Sequence, residues 1–152
     1  MSGWDRFAET FLNPTVMARY LPSIIEGFFL TIELAALVIV SGLALGLGLA
    51  VIRALGIRVL NWAIIFTVDL FRALPPLVII VLIYFGLPAM EWSPDAFGAT
   101  WAALTLVLMA FTEEIFWAGI TAVPRGQWEA ARSSGLGFGQ TLAYDVLPQA
   151  IR

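Results

Sequence analysis

The chain has 152 residues, of which 61% are hydrophobic and 12% charged, and carries a net charge of −3; its mean hydropathy is +0.91. In soluble domains about a quarter of residues are charged, and a domain of this size has too much surface to hide so many apolar side chains, so the membrane class is favoured. With no Cys or His and all eight basic residues Arg, the chain lacks cysteine nucleophiles, imidazole bases, the common zinc sites, the lysine-bearing phosphate loop and any basic nucleic-acid footprint.

The N-terminal stretch is not a secretory signal peptide, because Asp5, Glu9 and Glu26 precede the first long apolar run. Trp4, Phe7, Phe11 and Leu12 suit a short amphipathic approach to the membrane, and Pro14 and Pro22 are expected to interrupt any long helix there. Residues 1–26 therefore read as an external or interfacial segment.

Three apolar blocks follow, at residues 27–52, 62–87 and 97–123. Each holds the roughly 20 residues that a helix needs to cross the hydrocarbon. The expected fold is an all-α integral membrane protein whose membrane region, residues 27–123, contains three transmembrane helices. Gly42 and Gly46 are four apart in the first block and share a face on which another helix can approach closely.

"FRALPPL" interrupts the second block. Pro75 lacks an amide hydrogen and Pro76 forces its predecessor out of helical geometry, so this span should kink or break. Discontinuous helices form gates and ion sites in transporters, although a kink can also serve packing alone. Asp69 and Arg72, three apart, are expected to pair on one helical face. In the third block Glu113 and Glu114 point about 100° apart and do not make a two-carboxylate catalytic site. A helix contact, a cavity wall or a proton-bearing group remains open for each. Asp69, Arg72, Pro75, Glu113 and Glu114 are the candidates for a translocation path or for polar contacts within the bundle.

The arginines orient the chain. Arg53 and Arg58 fall in the loop after the first span and Arg125, Arg132 and Arg152 after the third, against Arg6 and Arg19 before the first. This bias places the N-terminus outside and residues 124–152 in the cytoplasm. There, Pro124 can open a short helix, Gln127–Ser134 are good helix formers, Glu129 and Arg132 can pair, and Gly135 can end it in left-handed geometry. A helix of about ten residues is marginal alone in water and calls for a docking surface, either a protein groove or the lipid headgroups.

The closing stretch "GQWEAARSSGLGFGQTLAYDVLPQAIR" resembles the cytoplasmic loop of ABC importer permeases through Glu129, Ala130, Ala131, Gly135, Val146, Leu147 and Pro148. Gly126, Gln127, Gln149, Ala150 and Arg152 are similar to the polar amino-acid uptake subgroup. Further resemblance lies in Gly27 and Thr31, in "YFGLP" from Tyr84 to Pro88, and in Gly119, Ile120, Val123 and Pro124. The chain departs from the subgroup at Trp117 and Ala118, where Arg-Gly is usual, and at Ala73 and Leu74 between Arg72 and Pro75. The first departure removes a charge near the cytoplasmic exit, and Trp117 is expected to anchor at the interface instead.

The resemblance implies a multi-pass permease subunit of the bacterial cytoplasmic (inner) membrane that moves polar amino acids by alternating access. Its partners would be ABC ATPase subunits, an identical or homologous permease, an external solute-binding protein and membrane lipid. ATP would be used by the partner ATPase, with no cofactor bound here and no catalytic residues on this chain. Gly126, Gln127, Glu129, Ala130, Ala131, Gly135, Leu147 and Pro148 would form the coupling loop. Such permeases have five spans, so a chain ending at Arg152 corresponds to the first part of one, up to the start of a further span, and should not transport alone. The alternatives are a small membrane scaffold or regulatory subunit without its own path, and a proton-coupled carrier using Glu113 or Glu114.

Overall fold

A computed structural model describes residues 2–150. Arg152, counted above among the cytoplasmic arginines and in the subgroup motif, lies outside the described residues. Every regular element among the described residues is helical. The chain divides into two compact units between Ala36 and Leu37.

In the first unit, α1 (Gly3–Phe11) opens with a capping box. The Ser2 amide donates to Asp5 Oδ2 at 2.8 Å and the Asp5 amide to Ser2 Oγ at 3.1 Å, satisfying amides that a helix start leaves unpaired. Trp4, Phe7 and Phe11 stack in series along one side. Asn13 Oδ1 accepts from the Thr15 amide at 3.0 Å and starts α2 (Pro14–Ala54). The expected interruption occurs at Pro14, where α1 has ended at Phe11 and the proline takes the first position of α2, needing no amide; it is corrected at Pro22, which lies inside α2. One missing amide bond is a local loss that the continuous ladder on either side carries.

The second expected span is the bent pair α3 (Arg58–Ala73) and α4 (Pro76–Val81), which continues through a π-helical turn at Leu82–Gly86 and a 3₁₀ turn at Leu87–Met90. The break falls at Leu74 and Pro75, as the diproline requires, and the second arm is bent by 103° from the first. Two stretches, Gly3–Ala54 and Ala96–Ala122, are long and apolar enough to cross a membrane, and the bent pair is a third only if both arms are taken together. At 16 residues α3 is about 24 Å long and falls short of the roughly 30 Å hydrocarbon by itself. The third expected span is α5 (Ala96–Ala122), capped by Asp95 Oδ1, which accepts from the Gly98 amide at 2.9 Å.

After α5 come α6 (Arg125–Ser133), α7 (Phe138–Thr141), a second π-helical turn at Leu142–Val146 and α8 (Leu147–Ala150). Both π-turns immediately precede a Leu-Pro pair, Leu87-Pro88 and Leu147-Pro148. A proline ring clashes with the carbonyl four residues before it, and widening the helix by one residue moves that carbonyl aside.

Packing in the second unit follows small residues. Val38, Gly42, Gly46 and Ala50 recur every fourth position and are the buried face of α2. A Cβ at Gly42 would come within 2.7 Å of the Leu108 side chain, and one at Gly46 would collide with Thr112, so the expected close approach is made against α5. Hydroxyls seal this contact: Ser41 and Thr105 oxygens are 2.9 Å apart, and Thr112 Oγ1 lies 3.2 Å from the Gly42 carbonyl. Ile64 and Val68 of α3 pack with Met109 and Ala110 of α5. Ala50, Ile120, Val123, Leu142 and Val146 form a second core that seats the C-terminal helices on the ends of α2 and α5.

Candidate functional site

Two groups of residues meet near the C-terminal end of α5. The first is a pair of arginine–carboxylate bridges. Glu113 is fully buried and faces α2, where Arg53 Nη1 donates to its two carboxylate oxygens at 3.1 and 3.2 Å. The Arg53 guanidinium also lies 4.5 Å from the Trp117 ring centroid. Glu114 faces the other way, toward α3, and accepts from Arg72 Nη1 at 3.1 Å, with Arg72 5.6 Å from the Phe111 ring. The divergence expected for adjacent glutamates is thus used to bind two different helices.

Two expectations are corrected here. Arg72 pairs with Glu114 and not with Asp69, which is exposed and joins no ion pair among the described residues. Arg72 sits in the last turn of α3, where its long side chain gains both a carboxylate and an aromatic face on α5. Arg53 is not a loop residue: it closes the last turn of α2, where a cation suits the helix dipole, and only residues 55–57 separate α2 from α3. Trp117, expected to anchor at the interface, is half-buried against the C-terminal core with the Arg53 guanidinium over its ring. Sequence reasoning missed Arg53 as a partner. The signal was the small-residue face at Gly42, Gly46 and Ala50, which reaches Arg53 one turn later.

The second group is α6. Pro124 stands just before its first turn and its carbonyl accepts from the Gln127 amide at 2.9 Å. The helix ends as expected at Gly135, whose φ of 94° is a left-handed conformation that a Cβ would strain. Trp128 stacks on Phe138 at 5.5 Å and 28°, and Ala131 is half-buried with it. Gly126, Gln127, Glu129, Ala130 and Arg132 are exposed. The expected Glu129–Arg132 pair does not form. Leu147 packs on the C-terminal core, Pro148 is exposed, and Pro75 occupies the break between α3 and α4. Gly119 lets α8 approach α5, since a Cβ there would lie 2.5 Å from the Ala150 carbonyl oxygen.

A small-residue helix packing, a broken helix and a short helix held on one side by its own chain fit an all-α, multi-span membrane protein. Residues 42–152 match the model of the family described as binding-protein-dependent transport system inner membrane component, and the chain belongs to that family. It is 35% identical over 141 residues to the probable glutamine ABC transporter permease protein GlnM of Bacillus subtilis, covering 93% of this chain and 65% of the relative. It is 34% identical over 133 residues to the arginine transport system permease protein ArtQ of the same organism, covering 87% and 61%. A solved structure described as an amino acid ABC transporter with histidines superposes with a TM-score of 0.78 at 35% identity, covering 90% of this chain and 64% of that one. The chain spans just under two thirds of the length of these relatives.

Proposed function

We propose that this chain is a permease subunit of an ATP-driven importer that moves polar amino acids across the bacterial cytoplasmic membrane by alternating access. Residues 1–26 form its external or interfacial segment, residues 27–123 its membrane region and residues 124–152 its cytoplasmic coupling loop. It is a transport subunit and not an enzyme; ATP is hydrolysed on a separate ATPase chain. A second permease, identical or homologous, completes the core, and an external solute-binding protein delivers the substrate.

The observation that carries this reading is the two-sidedness of α6. Trp128 and Ala131 hold it to its own chain while Gly126, Gln127, Glu129 and Ala130 stay exposed. A rod fixed on one side and open on the other transmits force from a neighbouring ATPase to the ends of α2 and α5, through the core that all three share. The glutamine and arginine permeases among the relatives support a polar amino acid as substrate. The proton-carrier alternative is weakened because Glu113 and Glu114 are each engaged by an arginine.

The chain has no cysteine, so Ala130→Cys gives a single reactive site. In the intact complex it should crosslink to an ATP-hydrolysing chain, and Gly135→Val should leave ATP hydrolysis while abolishing uptake. Labelling of Ala130→Cys from the external side only, or coupled uptake by Gly135→Val, would refute the proposal. Uptake that follows a pH gradient without ATP would favour the carrier instead.

A further inference from the structure

Where α5 gives way to α6, a cavity of about 440 Å³ opens, lined among others by Ala54, Trp117, Thr121, Arg125, Trp128 and Phe138. We propose that it is a binding site for an anionic phospholipid, with the lipid phosphate on Arg125 and the first acyl carbons against Trp117, Trp128 and Phe138. The proposal rests on the functional reading above only for naming the leaflet as cytoplasmic.

Three observations support this occupant. The first is depth. α5 is an apolar span that ends at Ala122, and the cavity straddles that end, with the last turn of the span on one side and Arg125 on the other. This is the level at which headgroups meet acyl chains.

The second is charge. Arg53, at the end of α2, is already matched by Glu113 and covered by Trp117. Arg125 makes no ion pair among the described residues and therefore leaves the cavity with an uncompensated positive charge. Basic pockets between membrane helices on the cytoplasmic side recognise anionic headgroups in this way.

The third is the lining. Free phosphate would use the cation but leave the uncovered parts of Trp117, Trp128, Phe138 and Ala54 in water, whereas a lipid satisfies both. A lipid in this position wedges between the last span and α6, so the angle of α6 depends on it.

The test is native mass spectrometry of the full chain in detergent, titrated with dioleoylphosphatidylglycerol or dioleoylphosphatidylcholine. Wild type should retain the anionic lipid about fivefold more strongly, the discrimination that one surface arginine supplies. Arg125→Gln should remove that preference. Thr121→Phe, which fills the cavity, should lower retention of both lipids with helix content unchanged by circular dichroism. Arg132→Gln, on α6 but outside the lining, should leave the preference intact. Equal retention of the two lipids by wild type, a preference that survives Arg125→Gln, or displacement of the lipid by millimolar inorganic phosphate would each overturn the proposal. Maleimide labelling of Ser133→Cys in sealed vesicles reports the side of α6 separately. Labelling from outside would remove the importer reading and leave the lipid result standing.

Discussion

Arg53 and Glu113 are 60 positions apart in the chain, and one nitrogen of the arginine reaches both oxygens of the glutamate at 3.1 and 3.2 Å. This bridge ties the end of α2 to α5 at the level where the C-terminal helices begin to pack. Removing either partner leaves a buried charge alone. Arg53→Ala or Glu113→Ala should destabilise the protein by about 3–5 kcal/mol. Replacing both with apolar residues, as in Arg53→Met with Glu113→Leu, should recover most of the loss. Thermal unfolding in detergent checks this, and a double variant no more stable than the singles would show that the bridge does not act as a pair.

The small-residue face of α2 gives a prediction with its own control. Gly46→Leu must displace Thr112 and the α5 backbone, whereas a Cβ at Gly48 would meet no other part of the chain within 4 Å beyond its own helical turn. Overpacking a tight contact costs about 1–3 kcal/mol. Gly46→Leu should lower the unfolding temperature and Gly48→Leu should leave it unchanged. Equal effects would mean that α2 and α5 do not meet at Gly46.

α6 is held by the stack of Trp128 on Phe138. Trp128→Ala should make the amides of Arg125–Ser133 exchange with solvent faster, while the amides of α5 keep their protection. In a double-mutant cycle with Phe138→Ala the pair should couple by about 0.5–1.5 kcal/mol. Additive effects would separate α6 from α7.

Two glycines of the C-terminal region should respond oppositely to alanine. Gly135 has a φ of 94°, so Gly135→Ala should cost about 1–2 kcal/mol. Gly139 is inside α7 with open space around it, so Gly139→Ala should stabilise by about 0.4–1 kcal/mol. Denaturant midpoints of the two variants measure the difference in sign.

Much of this architecture was legible residue by residue. The expected third span at 97–123 differs from α5, Ala96–Ala122, by one position at each end, because a largely apolar run between an Asp cap and a Pro, free of proline within it, admits little else. Pro75 and Pro76 announced the break in the second span, and Gly135 the end of α6, because both residue types act on their own backbone. The partners of the charged residues were not legible. Helical spacing offered Asp69 to Arg72 as its nearest neighbour, but the arginine turned to a carboxylate 42 positions away on α5. Arg53 read as a loop cation because nothing local shows that the helix runs on to Ala54.

The sequence by itself determined that this is a helical membrane protein, that its second span breaks at the diproline and α6 stops before Gly135, and that a short amphipathic rod follows the third apolar run. Those properties follow from hydropathy, from proline and glycine geometry, and from periodicity, all of which act within a few residues. Only the tertiary structure decided which helix each buried charge binds, that the face of α6 carrying Trp128 is occupied by its own chain, and that a cavity opens beside Arg125. These depend on which surfaces come together in space, and side-chain pairing across 40 to 60 positions leaves no trace in the local pattern of the chain.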